Sequence, residues 1–234
     1  YQVEYAIKAI DLASCAVGVK TAAGVVLGVE KRTTSKLLLQ DSVEKILEID
    51  EHIAVAVSGL VADSNTLVDH ARVEGQNHKF VYDEPIPVAS LTQSVCDLKM
   101  RFGEGGGGSS DDKPRMSRPF GVSLLVAGHD DKGPQLFHTD PSGTMTEYAA
   151  HAIGNGSEGA QSLLQSSYKK SMTLHEAELL VVRVLKETME EKIKNTNIQL
   201  ALVTPEEGYK LHSTDALDGL IAEDAAAAAA EGIQ

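Results

Sequence analysis

Apolar residues in this chain come in short runs, and residues Ser42 to Leu60 show the pattern most sharply. Ile46, Leu47 and Ile49 form one run, and Ile53, Ala54, Val55, Ala56 and Val57 the next, with Asp50-Glu51-His52 between them. β-Branched residues dominate and the acidic tripeptide has turn chemistry, so two strands joined by a tight turn are predicted. The second run lacks polar alternation, which marks a strand buried on both faces at the centre of a sheet.

The same patterning extends along the chain. Val3, Ala6, Ile7 and Ile10 make the apolar stripe of a short amphipathic helix over residues 1–12. Cys15 to Val19 and Val25 to Val29 read as a hairpin around Thr21-Ala22-Ala23-Gly24, and Thr33 to Asp41 as a polar bend. Leu60, Leu67, Val68 and Ala71 share one face of a helix expected to stop near Gly75. After Pro85 and Pro87, Val88, Leu91, Val95, Leu98 and Phe102 repeat at three and four, predicting a second helix. Residues 103–118 are rich in Gly and Ser and lack the apolar content to pack, so a mobile loop is expected.

Gly121 to Ala127, Gln135 to His138 and Thr144 to Tyr148 then predict an antiparallel meander. A helix from about Ser157 to Tyr168 follows. Thr173-Leu-His-Glu176 is a capping box opening a long helix, with Ala177, Leu180, Val181, Val184, Leu185 and Met189 inward. Ile198 to Val203 and Tyr209 to Leu211 form a last hairpin. Asp215 to Gln234 is helix-forming, with 222–234 an Ala-rich tail. Two blocks of strands, each followed by a helix pair, predict an α+β fold: two antiparallel sheets face to face with helices outside each, a four-layer αββα sandwich.

Composition sharpens this picture. With 234 residues and 42% hydrophobic content, the chain can fill one core, and residues 1–234 are expected to form a single domain. The net charge of -13, from 34 acidic against 21 basic residues, argues against nucleic acid or an anionic membrane as the main partner. No run approaches the about 20 apolar residues of a membrane span. Cys15 and Cys96 read as buried thiols of a reducing cytosol. The chain begins with Tyr1 rather than Met, so processing or a preceding segment is expected.

Candidate chemistry is sparse. Gly154-Asn-Gly156-Ser-Glu-Gly159 matches the G-x-G-x-x-G spacing of dinucleotide sites, but a second helix follows where a parallel strand with a terminal acid is required. The eight histidines show no ligand spacing, so no metal and no cofactor is expected. Asp130-Asp131 and Glu190-Glu191 read as solvated charge in a turn and on a helix face. Lys45, the single lysine of the 42–60 stretch, is either a functional ammonium or a surface lysine closing a strand edge.

Six strings carry a resemblance: Gln2-Val-Glu-Tyr5-Ala, Val29-Glu-Lys-Arg32, Ser58-Gly-Leu60, Arg118-Pro-Phe-Gly121, Asp140-Pro-Ser-Gly143 and Gly156-Ser-Glu-Gly159-Ala. From Tyr1 to about Ile221 the chain resembles the alpha-type subunits of the 20S proteasome. Lys132-Gly-Pro-Gln-Leu-Phe-His138 and Lys170-Ser-Met-Thr-Leu174 resemble most the fifth of the seven eukaryotic alpha classes. The resemblance implies the fold of the N-terminal nucleophile hydrolases, whose active members expose a threonine with a free α-amine at the head of the first strand, helped by a nearby lysine. Here Tyr1 to Leu12 precede that strand, so Ser14 and Cys15 are peptide-linked and a non-catalytic subunit is expected.

By the same resemblance Lys45 matches the lysine of the catalytic relatives. In alpha subunits it lines a pocket between neighbours that captures the C-terminal carboxylate of an activator tail, with Gly59 and Leu60 beside it. Tyr5 matches the tyrosine that supports the open axial gate. The implied partners are neighbouring alpha subunits, beta-type subunits, and the regulatory particle or other activator tails. The implied setting is ubiquitin-dependent and other protein degradation in cytoplasm and nucleus. Two other readings stay open: a self-standing hydrolase using Ser14 or Cys15 after cleavage, and a nucleotide-binding domain using Gly154 to Gly159.

Overall fold

A computed structural model describes residues 1–32, 43–102 and 118–231. The bend expected over 33–41, Ser42, loop residues 103–117 and the end of the tail, 232–234, lie outside the described residues. In chain order the elements are α1 (Gln2–Ile10), β1 (Ala16–Lys20), β2 (Val25–Glu30), β3 (Ile46–Asp50), β4 (Ile53–Gly59), α2 (Val61–Tyr82), α3 (Val88–Met100) and β5 (Val122–Asp130). They continue with β6 (Gly133–Thr139), β7 (Met145–Glu147), β8 (Ala150–Ile153), α4 (Ser157–Ser167), α5 (Leu174–Thr188), β9 (Ile198–Thr204), β10 (Gly208–Leu211) and α6 (Thr214–Glu231).

Two five-stranded sheets result, ordered β10-β9-β2-β1-β8 and β3-β4-β5-β6-β7, with every described pairing antiparallel. Alternation along the inner strands sorts side chains into three cores. Val25, Leu27 and Val29 of β2 meet Ala54 and Ala56 of β4 and Leu125 and Ala127 of β5 between the sheets. Val17, Val19 and Val26 face Val181, Val184 and Leu185 of α5 on one outer side. Ile53, Val55 and Val57 face Leu67 and Val68 of α2 and Leu91 and Val95 of α3 on the other. The expected four-layer α+β sandwich is therefore the fold. Strands feeding two cores at once must be apolar throughout, which explains the unbroken run of β4.

The sheets are not assembled from consecutive blocks. The first hairpin joins the last, because β2 pairs with β9 in the register Leu27↔Ala201, while β3–β4 joins the meander through Ala56↔Leu125. The sequence reading missed β8, four residues that leave the meander and pair with β1 in the opposite sheet. Central in its sheet is β5; β4 is its buried neighbour. Helix α2 runs through Gly75 to Tyr82 and ends at Asp83 in the left-handed region. Gly75 is buried, and a Cβ there would meet Asp50, Ile86 and Leu91 only at ordinary contact distances of 3.7 to 3.9 Å, so the helix continues through it at a cost of about 1 kcal/mol relative to alanine. Leu60 does not share the inward face of α2; it caps the helix and is 55% exposed. The capping box at Thr173 and Glu176 is present with both reciprocal bonds. Glu190 and Glu191 follow the end of α5 rather than lying on its face. Asp130 is more than solvated charge: its carboxylate accepts from the Val88 N–H at the start of α3, from Lys132 N–H and from Gln135.

Lys99 of α3 is fully buried and donates to the carbonyls of Val122, Thr139 and Asp140 and to Thr139 Oγ1, at 2.9 to 3.3 Å. Burial pulls its pKa down to about 8, which leaves an ammonium at neutral pH. It fastens α3 to the ends of β5 and β6. Substituting Lys99→Met strands those acceptors without a donor, and urea unfolding of the subunit is expected to show a loss of about 3 kcal/mol.

His138 of β6 and His151 of β8 pack together beneath α1, with ring centroids 4.8 Å apart and Tyr148 stacked on His151. Burial, then repulsion from His151 and Lys99, lowers His138 from 6.5 to about 4, against a weaker pull from Asp140. Burial also lowers His151, against a hydrogen bond with Gln161. A base whose folded pKa lies below its unfolded value binds fewer protons when folded, so stability falls as pH drops through that window. Unfolding free energy should decline from pH 6.5 towards 4, and His138→Phe should flatten the slope in denaturation curves taken across that range.

Candidate functional site

The head of β1 is held from both sheets. Ser14, 4% exposed, has its carbonyl bonded by Ser58 Oγ of β4 at 2.9 Å, and Ala13 carbonyl accepts from Asn155 N–H at 2.8 Å. A Cβ at Gly154 would stand 2.4 Å from the Ser14 carbonyl oxygen, so only glycine permits this approach, and its φ of 89° is glycine-compatible. Opposite, Lys45 enters β3 with its N–H and that of Ile46 both bonded to Gln199 Oε1, at 3.0 and 3.2 Å. Its carbonyl accepts from Val57 N–H. Thus anchored on a strand end, the half-buried Lys45 side chain donates from Nζ to Ser14 Oγ.

Glu30, at the end of β2, completes the centre. Its Oε2 accepts from Cys15 N–H at 3.2 Å and its Oε1 from Arg32 Nε at 3.1 Å; Arg32 also donates to the Leu12 carbonyl. Burial draws the Lys45 ammonium below the ordinary lysine range, the Glu30 carboxylate pulls it back, and Arg32 pushes it down again. Two cations and one carboxylate leave this trio with an excess positive charge. Glu190 and Glu191 line the cavity beside Glu30 and Arg32, so that positive charge is local to the trio, where the cations offer N–H donors for charge-assisted bonds.

Gly59 and Leu60 lie at the same end of β4. The space a Gly59 Cβ would take lies 2.3 Å from the Gly121 carbonyl oxygen, and Leu60 N–H donates to that oxygen at 3.0 Å. The glycine therefore admits the neighbouring strand β5. Asp63 locks this corner: its carboxylate takes Arg118 in two bonds of 2.6 and 2.7 Å and the Gly121 N–H at 2.9 Å. The Arg118 bonds hold the Asp63 carboxyl below its usual range. Leu60 and Val61 are left as an exposed apolar step, 55% and 50% accessible. Tyr5 stands 67% exposed on α1, a helix that lies against β4 and β5. Lys45, Gly59 and Leu60 thus share one end of the β3–β4 pair, while Tyr5 belongs to the helix beside them.

What this geometry can do is bounded. Ser14 has the lysine contact of an activated nucleophile, yet it is peptide-linked to Ala13 and has no free amine. Burial pushes the Cys15 thiol up to about 11, which keeps it protonated and inert. Around Gly154 to Gly159, α4 is followed by α5 with no parallel strand, and Gly154 is consumed by the approach to Ser14. Among the described residues no three His, Cys, Asp or Glu side chains converge to hold a metal ion.

The profile of the proteasome subunit family matches residues 10–203. The chain belongs to that family. It is 54% identical over 224 residues to the probable proteasome subunit alpha type-5 of Schizosaccharomyces pombe, covering 96% of this chain and 90% of the relative. To proteasome subunit alpha type-5 of Dictyostelium discoideum it is 51% identical over 222 residues, 94% of this chain and 90% of the relative. To that of Drosophila melanogaster it is 48% identical over 218 residues, 93% and 88% respectively.

Within this proteasome fold, the residues that sequence reasoning left out of the site are Glu30, Arg32, Ser58 and Gln199. Glu30 and Arg32 stood inside a recognised string without an assigned role. Gln199 was visible as a polar residue in an otherwise apolar strand, and its 6% exposure shows why it needs partners. Because Glu30 supports the Lys45 ammonium, Glu30→Gln should lower the Lys45 pKa further. Competitive acylation across pH, read by mass spectrometry, should show Lys45 becoming reactive at lower pH than in the parent chain.

Proposed function

We propose that this chain is a non-catalytic alpha-ring subunit of the 20S proteasome, forming part of the channel through which substrates enter and a docking surface for activators. In this reading it packs against neighbouring alpha subunits and beta-type subunits and serves ubiquitin-dependent and other protein degradation in cytoplasm and nucleus. The observation that carries it is the occupied head of β1. Lys45 meets a serine whose amine is locked in a peptide bond, so the arrangement keeps the cation of a catalytic centre without its nucleophile.

The docking element is Lys45, with Gly59 shaping the corner and Leu60 supplying an apolar step beside it. The excess positive charge of the Lys45, Glu30 and Arg32 group suits the terminal carboxylate of an activator tail, whether of the regulatory particle or another activator. Tyr5, exposed on α1, supports the gate. Lys45→Glu should sharply weaken stimulation of the assembled particle by a tail-bearing activator, and Lys45→Ala should weaken it less. Other pockets in the ring share the load, so the loss is partial; an unaltered activator response to both variants would remove Lys45 from the site.

The Lys45–Ser14 contact is also what a hydrolase using Ser14 would need after cutting the Ala13–Ser14 bond. Intact mass of the subunit from its native source separates the two readings. The alpha-ring reading requires residues 1–13 to remain attached, and a mature chain beginning at Ser14 or Cys15 would favour the hydrolase.

A further inference from the structure

An ammonium has three N–H donors, and among the described residues the Lys45 side chain uses one acceptor, Ser14 Oγ. The main chain that carries that acceptor is held in place. The Ser14 carbonyl is bonded by Ser58, the preceding carbonyl by Asn155, and Gly154 closes on the main chain from β8. Ser14 itself is 4% exposed, so its hydroxyl is a buried neutral ligand that draws the lysine away from solvent. The exposed step of Leu60 and Val61 lies at the same strand end. A carboxylate offered there forms a shorter, stronger bond to an ammonium than a neutral hydroxyl does.

We propose that Ser14 Oγ is an internal latch, holding the Lys45 ammonium inward at rest and competing with the tail carboxylate of a docking partner, which captures Lys45 by exchange. This rests on the docking reading above. Ser14 is a positioning residue that acts through Lys45. The Glu30–Arg32 pair, fixed to Cys15 N–H and the Leu12 carbonyl, keeps its place during the exchange.

The latch predicts a direction opposite to that of a simple support. If Ser14 competes, removing its hydroxyl tightens carboxylate binding; if Ser14 aims Lys45 at the tail, removal weakens it. The test uses assembled particles carrying Ser14→Ala, Ser14→Cys or Lys45→Ala. They are titrated with a short photo-reactive peptide ending in a free carboxylate and with its C-terminal amide twin, scoring label on this chain by mass spectrometry. Both Ser14 variants are expected to bind the free-acid peptide about three- to tenfold more tightly, a fraction of what a hydrogen bond to a charged group can contribute. The amide twin should not move, whereas general loosening of the pocket would shift both peptides. Lys45→Ala should erase the preference for the free acid. Unchanged or weaker free-acid binding in the Ser14 variants, with the preference lost in Lys45→Ala, overturns the latch alone. A Lys45→Ala particle that keeps the preference overturns the docking reading and the latch with it.

Discussion

The candidate site depends on the grip that both sheets take on one carbonyl group. Ser14 opens β1 in one sheet, Ser58 closes β4 in the other, and the hydrogen bond between them ties the layers where α1 crosses their end. Gly154, just past β8, presses on the same oxygen so closely that any side chain would collide with it. A main chain fixed this way fixes where the Ser14 Cβ stands, and burial narrows the staggered positions open to its hydroxyl. The position of Ser14 thus follows from packing between sheets, and its hydroxyl meets Lys45 from there.

Buried charge recurs as the fastening between layers. Lys99 pins α3 to the ends of β5 and β6, Asp63 pins the first turn of α2 to the start of β5, and Asp224, 1% exposed, holds α6 to α5 through Arg183 and Lys186. In each case the charge is met by several partners, the condition under which a buried ion is tolerated. Hydrophobic burial holds the layers together without direction, at roughly 25 cal/mol per Å². The multiply bonded ions set how far each helix slides over its sheet, because a small shift strands several groups at once.

Much of the fold was legible in the sequence because its strands are continuous apolar runs and its turns carry Gly, Pro and Asp. The Thr173 capping box and the helix after Pro87 were written in local chemistry and appear where expected. What stayed hidden is non-local. Nothing in Ala150 to Ile153 says that four residues leave the meander to pair with β1, and nothing near Gly75 says that α2 runs on to Tyr82. The site shows the same division. Lys45 was conspicuous as one cation in an apolar stretch, whereas Gln199, distant in sequence, orients its backbone, and Glu30 acquires meaning only when the hairpin brings it beside Cys15 and Arg32.

The position of one proton separates an anion receptor from a catalytic base at this site. To activate a serine, a lysine must be neutral and accept the hydroxyl proton. Lys45 Nζ and Ser14 Oγ are hydrogen-bond partners, and an ammonium donating to the hydroxyl and an amine accepting from it share that heavy-atom contact. Burial works towards the neutral amine and Glu30 works against it, keeping a carboxylate where it favours the ammonium. The Ser14 amine is consumed by the bond to Ala13, so it cannot serve as the base that a terminal amine provides. On the docking reading, the ammonium on this rigid strand end is met by an anion from outside, while Glu30 favours its charge and Arg32 opposes it.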